Sequence, residues 1–166
     1  MIVAVAEERM RSIGLPGVVL VLGGAVLVLV SFRFLDWYEL PRGADSTSEI
    51  TFGALRNSAD QLNGAGAATA YFDWLAWVLL IAVIGIGIAA NLPVPVADGL
   101  RVAGFLLGLV GVAATYFAIA QLHNAQVSAG ASKHSVFYNS TWGLWTAFAG
   151  YVLAAFGSGL GTRRRR

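Results

Sequence analysis

The sequence predicts an all-α membrane protein: a bundle of four transmembrane helices with a long first outer loop. Three observations carry that prediction. The chain is 57% hydrophobic and 12% charged, with a mean hydropathy of +0.70, where a soluble domain carries about 25% charged residues. Four stretches, about residues 13–32, 74–90, 100–122 and 142–160, are apolar and long enough to cross a bilayer, whose ~30 Å hydrocarbon core takes about 20 helical residues. The polar residues gather between them, in outer loops 33–73 and 123–139 and at the two ends. In lipid only a helix pairs every backbone N–H and C=O within one segment. Residues 1–166 therefore form one integral membrane domain, with no room for a separate soluble one.

The first span, Ile13 to Phe32, holds no charge and one polar side chain, Ser31. Glu7, Glu8, Arg9 and Arg11 precede it and read as a short cytoplasmic lead. The run exceeds the usual apolar core of a signal peptide, and Ser31-Phe32-Arg33-Phe34 offers no small-x-small cleavage site, so an uncleaved signal anchor is expected. Pro16 falls in the first turn, where its missing N–H costs little, and Gly23-Gly24 leaves a flat surface for another helix.

Residues 33–73 hold six of the nine acidic side chains. Phe34-Leu35-Asp36-Trp37 at the start is echoed by Tyr71-Phe72-Asp73-Trp74 at the end, which places the two ends side by side with their aromatic rings anchored at headgroup level. Between them, Ser46-x-x-Glu49 fits a capping box, and Leu55, Ala59 and Leu62 share one helical face before Asn63-Gly64. A short amphipathic surface helix is the first expectation. The competing one pairs Glu49-Ile50-Thr51-Phe52 with Trp37-Tyr38-Glu39-Leu40 as a small hairpin. Gly64 to Ala70 reads as a flexible return.

Asn91-Leu92-Pro93-Val94-Pro95 closes the second span, because prolines cannot continue a helix. Asp98 is expected to cap the third span, Leu100 to Leu122, with Arg101 snorkelling to the interface. Residues 123–139 form a short polar loop, and Ser140 or Thr141 is expected to cap the fourth span.

The four-span layout resembles the tetraspan plan of claudin-like proteins, and Gly143-Leu144-Trp145 matches part of their W-GLW signature. Here the triplet opens span four rather than lying in the first outer loop, and the signature's cysteines are absent, since the chain has none. The chain also resembles the small, mostly uncharacterised four-helix membrane proteins of actinobacteria, with Phe34-Leu35-Asp36-Trp37 ending the first helix and Gly143-Leu144-Trp145 opening the last. That resemblance implies a four-helix topology and no particular activity. Ten Arg against one Lys suits a GC-rich bacterial genome.

Orientation follows from the basic residues of short segments. With both termini in the cytoplasm, Arg9, Arg11, Arg101, Arg163, Arg164, Arg165 and Arg166 lie inside, against Arg33, Arg42, Arg56 and Lys133 outside. All five tryptophans then fall on the outer side. The expected location is the plasma membrane, with the arginine tail on its anionic inner leaflet.

Chemistry is sparse. Without cysteine, thiol catalysis and Cys-ligated metals are excluded. His123 ends a span and His134 lies in a loop, so neither reads as a metal or haem ligand. No nucleophile–base pair, phosphate loop or H-E-x-x-H occurs, and no enzyme activity, cofactor or nucleic-acid partner is expected. Asp36 and Asp73 could share a cation, although an ion pair from Asp36 to Arg33 is the simpler state. Gly104-x-x-x-Gly108 and Gly157-x-x-x-Gly161 supply flat faces that pack within the bundle or dock on another integral membrane protein or a second copy. The function expected is a non-enzymatic accessory or scaffold protein packing against a larger membrane complex. The alternatives are a small homo-oligomeric transporter or channel, with Asp36 and Asp73 at its mouth and Thr115, Tyr116 and Thr146 lining it, or a lipid-binding protein with a cavity beneath its outer loop.

Overall fold

A computed structural model describes residues 13–41 and 47–160 of the chain. Helix α1 (Leu15–Phe34) leads into a hairpin of β1 (Asp36–Pro41) and β2 (Thr47–Thr51), then α2 (Phe52–Gln61). Next come α3 (Gly66–Ala70), a π-helical turn (Tyr71–Leu75) and α4 (Ala76–Ala90), which run on as one helix, and finally α5 (Ala97–Ser128) and α6 (Trp142–Leu160). Leu15–Phe34, Gly66–Ala90, Ala97–Ser128 and Trp142–Leu160 are long and apolar enough to cross a membrane. The protein is thus a multi-pass membrane protein built as a four-helix bundle.

Small residues set its packing. Lipid tails are as apolar as leucine, so helices associate through close van der Waals contact, which small side chains permit. On α1 the buried face runs Gly17, Val21, Gly24, Val28, Ser31, and on α6 it runs Gly143, Ala147, Gly150, Ala154, Gly157. Both alternate steps of four and three, the 3.5-residue repeat of a left-handed helix seam. The two faces meet so closely that a Cβ on Gly24 would collide with the Gly150 carbonyl, and one on Gly150 with the Gly24 carbonyl. A second seam joins α5 to α6, with Gly104 against Ser158, Gly108 against Ala155 and Gly111 against the Tyr151 ring.

The bundle has two unlike ends. At one, Asn91 closes α4 and ties three helices together. Its side-chain amide N–H groups donate to the carbonyls of Gly87 (2.9 Å) and Gly157 (3.1 Å), and its backbone carbonyl accepts from the Gly14 N–H (2.9 Å). The other end is the head, made of the hairpin, α2 and residues 129–141.

Several expectations change here. The outer loop holds both alternatives in succession, a hairpin followed by a helix, with Tyr38 paired to Ile50 and Glu39 to Glu49. Ser46 of the expected capping box lies outside the described residues, and Glu49 is in β2 rather than in a first helical turn; Thr51 caps α2, accepting from the Ala54 N–H (3.3 Å). Residues 66–70 are helical rather than a flexible return, because Ala is the best helix former and the turn packs on α5, where the Ala68 N–H donates to Gln121 (2.8 Å). The second span accordingly begins at Gly66, well before Trp74.

Helix α5 is also longer than the apolar run. It starts at Ala97, so Asp98 lies in its first turn rather than at the cap, bonded to Arg101 at 2.7 Å. It runs on to Ser128, and its 32 residues cover ~48 Å at ~1.5 Å each, beyond a ~30 Å hydrocarbon core. His123 to Ser128 therefore belong to a helix that enters the head, and the expected loop is confined to the residues after Ser128. At the start of α6 the Thr141 hydroxyl donates to the Asp36 carbonyl and so ties the helix to the hairpin.

Candidate functional site

The head is organised by Trp37. A bulge between Asp36 and Tyr38 interrupts the strand pairing, and Trp37 turns into the bundle with 0% of its surface exposed. Its indole N–H donates to the Ser31 carbonyl (3.1 Å), while the Ser31 hydroxyl donates to the Gly143 carbonyl (2.6 Å). Both buried donors are thereby satisfied, as burial requires. Phe52 lies between Phe32, stacked at 4.4 Å between ring centroids, and Phe72, edge-on at 5.2 Å, and Trp37 meets Phe72 at 6.1 Å.

The π turn explains how Tyr71 and Phe72, consecutive residues, are both buried. One extra residue in the turn, marked by the Ala76 N–H reaching the Tyr71 carbonyl, shifts the helix face so that two neighbours point inward. Tyr71 meets Thr115 hydroxyl to hydroxyl at 2.5 Å, and Thr115 donates to the Gly111 carbonyl at 2.7 Å. This polar cluster is closed inside the bundle.

Residues 139–141 protect the open edge of β1. The Glu39 N–H donates to the Asn139 carbonyl and the Thr141 N–H to the Trp37 carbonyl, both at 3.0 Å, so the strand edge is covered. Asn139 has φ 58°, a left-handed geometry that asparagine tolerates better than most residues. The Tyr38 hydroxyl donates to the Val136 carbonyl (3.0 Å), and burial pushes its phenol above the ordinary range.

Hairpin, α2, the last turns of α5 and the 129–138 segment line a half-open cavity of about 500 Å³. Ile50, Leu55, Leu62 and Ile119 form its apolar wall, and His123, Gln126 and His134 its polar one. The His134 ring stacks on Tyr138 at 4.4 Å. Both histidines read from sequence as polar loop flanks; the stripe Ile119, His123, Gln126, spaced four and three, is the signal that His123 shares a helix face with the apolar wall, while His134, in the non-helical segment after α5, has no such signal.

The expected site residues fare differently. The two aromatic–carboxylate motifs do come together, but Trp37 is core rather than a headgroup anchor, whereas Trp74 is 54% exposed. Asp36 has no ion pair with Arg33. Among the described residues Asp73 pairs instead with Arg56 of α2, and the Arg33 guanidinium lies over the Trp77 ring at 5.6 Å. The reason is geometric: β1 starts at Asp36, so the helical spacing that would join it to Arg33 ends at Phe34. Gly104, Gly108 and Gly157 are all taken up by packing inside the bundle. Gly161 and Arg163, Arg164, Arg165 and Arg166 lie outside the described residues. No group of three or more His, Asp or Glu side chains that could hold a metal occurs among the described residues. Compared with known protein families, with curated proteins and with solved structures, the chain matches none.

Proposed function

We propose that the chain is a non-enzymatic accessory or scaffold protein of the plasma membrane, which packs against a larger membrane protein complex or a second copy of itself. One observation carries the reading. The polar side chains buried among the spans, Ser31, Thr115, Ser158 and Asn91, each donate to a carbonyl of the bundle itself, the Asn91 Oδ1 being the one buried atom among them without a partner. Transport across a bundle uses ionisable groups or broken helices at mid-membrane, and here the one charged residue away from the ends of the four spans is Asp73, in the π turn of the second. Asp73, one carboxylate of the suggested channel mouth, is neutralised by Arg56. What remains for function is contact, through the lipid-facing helices and the folded head.

In this reading both termini are cytoplasmic, the head faces outward and the arginine tail rests on the anionic inner leaflet. Purification from its native membrane in mild detergent, followed by native mass spectrometry, tests the proposal. The expected result is a defined assembly with another integral membrane protein or a second copy. A monodisperse monomer in repeated preparations would overturn it.

A further inference from the structure

The cavity in the head matches an amphiphile in size, polarity and placement. Its volume of about 500 Å³ falls within the ~300–1,000 Å³ of small-molecule sites. Ile119 belongs to the apolar run of α5, while His123 and Gln126 follow where that run ends. Hydrocarbon-compatible wall and polar wall are thus stacked along one helix face, in the order a molecule with one foot in the lipid requires. Among the described residues no hydrogen bond engages the His123 or Gln126 side chain, so their donors are available to a guest.

Charge selects the kind of head. No carboxylate is among the lining residues. Side chains alternate across a strand, so the pair Tyr38 and Ile50 covers the cavity while the pair Glu39 and Glu49 points the other way, exposed. The ionisable groups that line the cavity are His123, His134, Tyr38 and Tyr138; the histidines present N–H donors, while the Tyr38 hydroxyl is spent on the Val136 carbonyl. A carboxylate head would find several donors and no repelling anion. We propose that this cavity binds a single-chain amphiphile with an anionic head, of the long-chain carboxylate class, its chain against Ile119, Leu55 and Leu62 and its head against His123 and Gln126. The proposal stands independently of whether the protein docks on a partner.

The test uses the full chain in phosphatidylcholine nanodiscs with a photoreactive long-chain fatty acid. Crosslinks are expected to concentrate in residues 119–138, to be competed by oleate and not by oleylamine or oleyl alcohol. His123→Leu should weaken oleate competition about tenfold, the effect of losing one charge-assisted hydrogen bond. Ile119→Trp fills the cavity and should abolish labelling. Because Ile119 is buried and that variant could misfold, Ala131→Trp at the exposed rim provides a second blockade that leaves the bundle untouched. Labelling spread over lipid-facing positions such as Val19, Ile81 and Leu106, equal competition by oleylamine, or labelling unchanged in Ala131→Trp would overturn the proposal.

Discussion

Trp37 and Trp74 hold matching places in two echoing motifs, and their surroundings give them opposite roles. Trp37 is enclosed by Phe32, Phe52 and Phe72 and bonded to Ser31; Trp74 is mostly exposed on the far side of the π turn. Replacing a buried tryptophan with alanine costs about 3–5 kcal/mol through lost contacts and the cavity left behind. Trp37→Ala is therefore expected to lower thermal stability strongly in detergent, whereas Trp74→Ala should fall within about 0.5 kcal/mol of the parent. Equal effects in a thermal melt would mean that both tryptophans serve as interface anchors.

At the scale of elements, the seam between α1 and α6 depends on the absence of side chains. A methyl on Gly24 would press on the Gly150 carbonyl and the Ala154 backbone N, neither of which can rotate away. Gly24→Ala should destabilise by about 1–3 kcal/mol, the range for overpacking a tight contact. Gly85 on α4 is the matched control, since a Cβ there meets nothing within 4 Å. Gly85→Ala removes backbone entropy from the unfolded helix and should stabilise by about 0.5–1 kcal/mol. Unfolding of both variants in dodecyl maltoside, followed by circular dichroism, separates seam packing from helix propensity.

The described residues are asymmetric, with a folded head at one end and the short Asn91 turn, beside the start of α1 and the end of α6, at the other. Which end faces the cytoplasm rests on charge: seven basic residues on the terminal side against four on the head side, four of the seven being Arg163 to Arg166. Each basic residue near an anionic leaflet contributes ~1 kcal/mol. Replacing those four with Gln leaves three against four, so a reporter fused after residue 162 should become partly extracellular. A wholly cytoplasmic reporter in that mutant would show that the head itself, once folded, holds the orientation.

The number of spans was legible in the sequence, because apolar length alone decides whether a helix suits the bilayer. The side-by-side placement of the two aromatic motifs was legible too, since both flank one loop between adjacent spans. Helix ends were not. Gly66 to Ala70 and His123 to Ser128 are helical because they pack against other elements of the head, and hydropathy registers lipid, not such contacts. The heptad of small residues on α1 and α6 was present in the sequence, but a stripe of glycine marks a close approach without naming the partner helix. Only the packed bundle decided that Gly104, Gly108 and Gly157 face inward, that Trp37 is core, and that His123 and His134, eleven positions apart, share one cavity wall. Those outcomes depend on where the hairpin folds back over the end of α5, a long-range arrangement that composition and periodicity do not encode.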